Sequence, residues 1–316
     1  MTSHLITRVT VLGTGLIGGS FAYALKKYGT DLTIHGWDRP EVAHEAHGRH
    51  LVDESSYGPV AQALTNADLI FIALPISVTL DLLPEIARHA PAHALVTDAC
   101  STKVRIAEAA AQLFPASGTK LFLPGHPMAG REQSGIAHAD ADLFRNTTYA
   151  LIDPPVGAGL TPPAAPTSAI SESSSAPSVP LASRNDPRIS AFTKILEKIG
   201  VRPLWLGAQQ HVYAVGLVSH LPQLAAIALA SFLYDHLDEN GLPITLAGPG
   251  LRDSLRLAGS PYATWRDIVL TNKDFLSASL DLFARRLDDL REKLASRDLE
   301  ADFDASNELY KLLRSL

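Results

Sequence analysis

Three glycines near the start of the chain have the spacing of a phosphate-binding loop. Gly13, Gly15 and Gly18 read G-x-G-x-x-G, after a predicted strand and at the start of a predicted helix. The first permits a tight turn, the second lets a pyrophosphate approach the backbone, and the third lets helix and strand pack closely. The helix N-terminus also attracts phosphates. The pattern predicts a dinucleotide site, and an ordinary glycine turn is the alternative. Further candidate cofactor contacts are Leu16, Ile17 and Pro75.

A carboxylate follows this motif at the distance expected for a ribose ligand. Asp38 stands about twenty residues after Gly18, at the end of the second predicted strand. A carboxylate there accepts hydrogen bonds from ribose hydroxyls and repels a 2′-phosphate, which favours NAD. Arg39 follows at once and could instead pair with that phosphate, so NADP is the alternative cofactor. A plain turn role for Asp38 is the alternative to ribose binding.

Two histidines are candidates for chemistry. His126 lies in the segment P-G-H-P-M-A-G, after a predicted strand and at the sheet edge where ligands bind. Imidazole titrates near neutral pH, so His126 is a candidate general base, with a loop-capping histidine as the alternative. His220 lies inside an apolar predicted helix, in V-S-H-L-P. Such a histidine is either a satisfied core residue or a ligand of something buried there.

A hydroxyl and several charged side chains complete the candidate set. Ser101 is the predicted N-cap of a helix that starts at Thr102. Arg256 is a candidate bidentate clamp for a carboxylate, with a solvated basic helix face as the alternative. Arg252 and Glu132 are weaker candidates for the mouth of the same site. No metal site is expected, because the chain has a single cysteine, Cys100, and its spaced surface histidines diverge around a helix.

The elements that position these residues fall into two patterns. Short apolar runs are predicted strands at residues 8–13, 31–38, 67–75, 94–100, 120–123, 148–152 and 201–206, with helical segments between them. Continuously apolar strands that alternate with helices indicate a doubly wound parallel α/β sheet. After residue 207 the strand signals stop, and the stretches 212–237, 263–297 and 299–316 have helical periodicity.

The domain boundary is predicted near residue 207. A Pro-, Ser- and Ala-rich stretch at 154–187 has no periodicity and is predicted to be a disordered insertion. Because a helix and one more strand follow it, we place it inside a first domain at 1–206. A second, all-helical domain occupies 207–316. Its apolar stripes predict a partner subunit, and hence a homodimer.

Composition narrows the class of protein. The chain has 316 residues and a formal net charge of −6. An acidic chain without basic runs is not expected to bind nucleic acid. The apolar stretch 212–234 is long enough to span a membrane, but its polar centre predicts a buried helix of a soluble protein. With no signal-peptide pattern and a single cysteine, a cytoplasmic location is expected.

Taken in order, these motifs resemble one enzyme family. G-H-P-M-A-G followed by S-H-L-P, behind a nucleotide motif, is similar to the prephenate/arogenate dehydrogenases of tyrosine biosynthesis, over nearly the whole chain except 154–187. The resemblance implies a Rossmann-type domain and a helical dimerisation domain. It also implies oxidative decarboxylation of a cyclohexadienol, with hydride transfer to NAD(P)⁺.

The resemblance assigns roles to individual residues. His126 would contact the ring hydroxyl, Ser101 would orient it, His220 would face the substrate and Arg256 would bind its carboxylate. Arg131, where the family often has smaller residues, predicts a bias toward the dicarboxylate prephenate. Another Rossmann-type hydroxyacid dehydrogenase or a non-catalytic NAD-responsive binding protein are the alternative functions. A catalytic lysine in the helical domain would favour the former, and loss of His126 the latter.

Overall fold

A six-stranded parallel sheet forms the first part of the molecule. The computed structural model describes residues 6–29, 31–115, 119–153, 184–237 and 241–315. The sheet has the order β3-β2-β1-β4-β5-β6, with the crossover between β3 and β4 that defines a doubly wound fold. Its strands are β1 (Arg8–Leu12), β2 (Thr33–Trp37), β3 (Glu54–Ser56), β4 (Leu69–Ile72), β5 (Leu95–Asp98) and β6 (Leu121–Leu123).

A second, three-stranded sheet continues the same domain. It comprises β7 (Gly125–Pro127), β8 (Thr148–Ile152) and β9 (Arg202–Leu206). β7 is antiparallel to β8, and β8 is parallel to β9. The strands before and after the predicted insertion are therefore hydrogen-bonded neighbours.

Helices cover the sheet and make up the rest of the chain. In the first part they are α1 (Leu16–Lys27), α2 (Pro40–Gly48), α3 (Val60–Ala63), α4 (Ile76–His89), α5 (Val104–Leu113) and α6 (Pro187–Lys198). Beyond β9 they are α7 (Ala208–Val215), α8 (Leu221–Asp235), α9 (Leu242–Thr245), α10 (Pro249–Leu255), α11 (Tyr262–Thr271), α12 (Lys273–Ser296) and α13 (Glu300–Arg314). A π-helical turn (Gly216–His220) joins α7 to α8, and short 3₁₀ turns lie at Ile136–His138 and Arg256–Gly259.

The core is split between the two faces of the parallel sheet. Alternate residues of β4 belong to different clusters: Leu69 and Phe71 pack with α1, whereas Ile70 and Ile72 pack with α4 and α5. Phe21 of α1 stacks on Phe71 with ring centroids 4.0 Å apart. Burial on both faces is the reason these strands are continuously apolar, and it confirms the predicted fold class.

The chain forms two compact units, Met1–Asn272 and Lys273–Leu316. In the second unit, Asp302 of α13 binds Arg286 and Lys293 of α12, the latter at 2.9 Å. Many of its apolar side chains, such as Leu294 and Leu309, are exposed. The predicted boundary at residue 207 is a different division, which separates the sheets from the helical segments.

The residues that flank the predicted insertion are tied together. Residues 154–183 of the predicted segment lie outside the described residues. Arg184 forms a bidentate ion pair with Asp153, with N–O distances of 3.0 and 2.6 Å. The Arg184 guanidinium also lies over the ring of Trp205. Asp186 caps α6 by accepting the N–H of Arg188 at 2.8 Å. Helix α6 therefore begins at Pro187, the last residue of the predicted insertion.

Of the described residues, one continuous helical stretch, Ala208–Asp235, is long and apolar enough to cross a membrane. Only 33% of its most apolar window is buried. His220, Gln223 and Ala226 are buried, but Val218 and Tyr234 are exposed. The prediction of a buried helix is therefore confirmed for one face only. The opposite face of this helical stretch is apolar and exposed.

Candidate active site

The glycine loop has the backbone geometry that its sequence predicts. Gly13 has φ +90°, and a Cβ there would lie 2.5 Å from the carbonyl oxygen of Ala73. A Cβ at Gly18 would collide with the carbonyl oxygen of Gly13. Gly15 faces open space. Only glycine fits the first and last positions, and the gap at Gly15 is a cradle that fits a pyrophosphate.

The carboxylate after β2 braces this loop. Oδ2 of Asp38 accepts the N–H of Thr14 at 2.7 Å, and its side chain is 13% exposed. Its Oδ1 accepts the N–H of Arg39 at 2.7 Å, whereas the Arg39 guanidinium is 81% exposed. Oδ2 also lies 3.4 Å from the Thr14 hydroxyl, so the free lone pair of this carboxylate is on Oδ1. Asp38 can therefore hold the loop and still accept ribose hydroxyls.

The other predicted cofactor contacts surround this loop. Leu16 and Ile17 are half-buried in the first turn of α1 and pack on the core. Pro75 is exposed and directly precedes α4. Asp267 of α11 accepts the N–H and the hydroxyl of Ser77 at 2.9 and 2.5 Å, which satisfies the N-terminus of α4.

A buried ion pair holds the backbone beside His126. The side chains of Asp98 and Lys103 are fully buried and form an ion pair through Oδ2 and Nζ. Lys103 Nζ also donates to the carbonyl of Gly125 at 2.6 Å, and Asp98 Oδ1 accepts the N–H of Gly125 at 3.2 Å. Both polar backbone groups of the residue before His126 are thus bound. The sequence places His126 in a loop, but it lies in the short strand β7.

Three buried histidines meet at this point. His126 is 8% exposed, His220 1% and His211 0%. Nδ1 of His126 is 2.9 Å from Nε2 of His211. Burial, with the positive charge of Lys103 and the neighbouring histidines, holds the pKa of His126 well below 6.5. The same causes lower the pKa of His211 to about 3, and burial lowers that of His220 to about 4. All three rings are therefore neutral near pH 7. These three residues with Asp98 and Lys103 are called the histidine cluster below.

The π-helical turn places His220. Pro222 lacks the N–H that would continue an α-helix to Val218, and Leu221 donates instead to Gly216, five residues back. Such π-helical turns are rare, and those that occur are frequently at functional sites. Nδ1 of His220 lies 3.1 Å from the Asn272 amide, and its ring meets Trp265 edge-on at 5.7 Å. Its polar partner is thus supplied by the residue that caps the C-terminus of α11.

The predicted carboxylate clamp is paired inside the chain. Nη1 of Arg256 binds Oε1 of Glu132, and the arginine side chain is 64% exposed. A hydrogen bond from its own backbone N–H, followed by the hydrogen bond and charge of Arg256, lowers the pKa of the Glu132 carboxyl. Arg252 is exposed on α10. Arg131 is bound to Asp140, so its charge is neutralised by a neighbour rather than free for a substrate.

The segment after β5 differs from its prediction at one point. Helix α5 begins at Val104 and has no side-chain cap, so the expectation that Ser101 caps a helix from Thr102 is wrong. Thr102 instead hydrogen-bonds to Thr271 at 2.7 Å. Ser101 is half-buried. Cys100 is buried, and burial raises the pKa of its thiol, which fits a structural residue.

The structure thus joins His126 and His220 in one cluster and links Glu132 to Arg256. Sequence reasoning missed the roles of His211, Asp98 and Lys103. His211 carried one signal, its position directly before the apolar stretch 212–234 that contains His220. The described residues contain no group of three or more His, Cys, Asp or Glu side chains that could hold a metal ion.

Comparison with known proteins gives consistent matches. Residues 21–155 match the model of the prephenate dehydrogenase nucleotide-binding domain, and residues 207–314 match that of the prephenate dehydrogenase dimerization domain. The prephenate dehydrogenase of Lactococcus lactis subsp. cremoris is 33% identical over 296 residues, covering 93% of this chain and 73% of its own length.

Two solved structures extend the comparison. Synechocystis arogenate dehydrogenase is 29% identical, with a TM-score of 0.68 over 98% of this chain and 97% of its own. The prephenate dehydrogenase of A. aeolicus, solved with hydroxyphenyl propionate and NAD⁺, has a TM-score of 0.78 over 98% of each chain. Its identity is 24%, so this likeness establishes a shared fold.

Proposed function

Because this chain belongs to the prephenate dehydrogenase family, we propose that it oxidatively decarboxylates prephenate, arogenate or both, with NAD⁺ as the preferred hydride acceptor. The observation that carries the proposal is His126, a neutral imidazole whose Nδ1 is engaged by His211. Its Nε2 is then the nitrogen available to a substrate hydroxyl. A neutral ring with one free nitrogen is what a general base requires.

The reaction needs a base, a hydride acceptor and cations. Nε2 of His126 takes the proton of the ring hydroxyl, and bound NAD⁺ supplies the acceptor for the hydride from the same carbon. The ring carboxylate then leaves as CO₂ and the ring becomes aromatic. Because His126 already lacks a proton near pH 7, no prior deprotonation is needed.

The glycine loop and Asp38 would hold the cofactor. The gap at Gly15 accommodates the pyrophosphate, and the N-terminus of α1 offers its N–H groups. The carboxylate of Asp38 would accept the ribose hydroxyls and repel a 2′-phosphate, with Arg39 pointing to solvent. This arrangement supports NAD over NADP.

Arg256 and His220 would bind the substrate carboxylates. Arg256 is bound to Glu132, so a substrate carboxylate must replace that side chain. A guanidinium can form a bidentate ion pair with a carboxylate, which would fix the orientation of the substrate ring. We assign Arg252 and Glu132 to the mouth of the site and Ser101 to orienting the hydroxyl. Arg131 is bound to Asp140 and, like Arg256, would have to leave that carboxylate to bind a substrate; doing so would favour the dicarboxylate prephenate.

The apolar helical surface supports a homodimer. Val218, Phe232 and Tyr234 are exposed along one continuous helical stretch, and residues 207–314 match a dimerization domain. A second copy that covers this face would remove apolar area from water. We therefore propose a cytoplasmic homodimer, with the functional boundary between its two domains near residue 207.

The test is turnover by the purified chain. We expect reduced nicotinamide, followed by its ultraviolet absorbance, and one CO₂ per turnover with prephenate or arogenate and NAD⁺. Hydroxyacids that lack the cyclohexadiene ring serve as controls and should give no reduction. Failure to reduce NAD⁺ or NADP⁺ with either cyclohexadienol would contradict the proposal.

A further inference from the structure

A second histidine lies directly behind the proposed base. His211 is fully buried on α7, and its Nε2 is 2.9 Å from Nδ1 of His126. The two residues are 85 positions apart in the sequence. Their ring centroids are 5.1 Å apart, and the planes cross at 69°. This geometry is that of a hydrogen bond between two ring nitrogens, because the distance lies within the normal N–H···N range.

The direction of this hydrogen bond decides whether His126 can act as a base. If His211 donates, the neutral His126 ring carries its proton on Nε2 and cannot take another from a hydroxyl. If His126 donates from Nδ1, its Nε2 keeps the lone pair. Only this second arrangement is competent for the reaction.

We propose that His211 is a positioning residue, an inference that rests on the proposed function of His126. Nε2 of His211 accepts the Nδ1–H of His126, and this hydrogen bond leaves the lone pair on Nε2 of His126 free. When His126 takes the substrate proton, the same bond holds the second N–H of the imidazolium. His211 does not itself contact substrate.

Two features of the cluster support this role. The pKa of His211 is lowered to about 3 by burial and by the charge of Lys103, so its ring is neutral and has a lone pair to offer. In this arrangement the neutral His211 ring carries its own proton on Nδ1, which has no hydrogen-bond partner among the described residues. The buried pair of Asp98 and Lys103 fixes the backbone of Gly125, which limits movement of His126 away from its acceptor.

The matched variants are His211→Gln, His211→Asn and His211→Leu. The Gln amide reaches the place of Nε2 and can accept, the Asn amide is too short, and Leu has no acceptor. We expect His211→Gln to keep kcat within about threefold, and His211→Leu and His211→Asn to lose roughly 10²-fold in kcat with KM little changed. Equal losses for Gln and Leu, or wild-type kcat in Leu and Asn, would overturn the assignment.

A second readout needs no turnover. In protein labelled with ¹⁵N-histidine, we expect His126 to carry its proton on Nδ1 at neutral pH in the wild type and in His211→Gln. A proton on Nε2 of His126 in the wild type would refute the inference even if the enzyme is active. The expected tautomer in a chain that turns over neither cyclohexadienol would instead refute the proposed function alone.

Discussion

The glycine loop, Gly13–Gly18, and the histidine cluster solve different physical problems. The loop binds through backbone, so its requirement is the absence of side chains, and Gly15 leaves open space for a ligand. The cluster buries one ion pair and three imidazoles, so it depends on specific pairings: Asp98 with Lys103, His126 with His211, and His220 with Asn272. Changes in the loop should therefore alter cofactor affinity, whereas changes in the cluster should alter stability and turnover.

The largest effect is expected from breaking the buried ion pair. Lys103→Met leaves the Asp98 carboxylate buried and uncompensated, and removes the bond to the Gly125 carbonyl. We expect a loss of about 3–5 kcal/mol in the free energy of unfolding. Urea denaturation would measure it, with the exposed Lys194→Met as the control. A loss no larger than that of the control would show that the pair is not structural, and adding Asp98→Asn should restore part of the stability.

The pH dependence of stability tests the neutral imidazoles. The pKa values of His126, His211 and His220 are lowered below 6.5, the latter two to about 3 and 4. Between about pH 6.5 and 4 the unfolded chain therefore binds more protons than the folded one, and stability falls as pH falls. Each histidine contributes a slope of up to about 1.4 kcal/mol per pH unit. His211→Gln should flatten this slope; an equal slope in both proteins would contradict the assigned pKa values.

The smallest effect is expected in the loop. Gly15→Ala places a methyl group in the open cradle without touching the protein. We expect the Kd for NAD⁺ to rise about tenfold, because the pyrophosphate must approach the backbone there, with no loss of folding stability. Gly48→Ala, at the end of α2 and also without neighbours within 4 Å, is the control. An unchanged Kd would mean that the cradle is not the pyrophosphate site.

This contrast also explains how much the sequence could predict. The glycine loop and Asp38 were predictable because their spacing is local and each glycine has its own steric reason. Most strands of the parallel sheet were predictable for the same reason, as continuous apolar runs. The strands β3 (E-S-S) and β7 (G-H-P) were not, since they contain no apolar run, unlike the equally short β6 (L-F-L).

The histidine cluster was only half predictable. His126 and His220 stand in recognisable motifs, but His211 acquires its meaning only when α7 packs against β7 and brings it to Nδ1 of His126. The Ser101 cap failed because α5 begins two residues later than predicted, with Lys103 turned inward to Asp98. Tertiary pairing of a buried charge outweighed the local capping preference.

The central claim is tested most directly by single-turnover hydride transfer in His126→Asn. The account predicts that hydride transfer from prephenate or arogenate falls by roughly 10²–10⁴-fold while the Kd for NAD⁺ stays at the wild-type value. That result would show that His126 acts in turnover and not in cofactor binding, which the account assigns to the glycine loop. Hydride transfer at the wild-type rate would contradict the account, because it would mean that the reaction does not need the His126 imidazole at the ring hydroxyl.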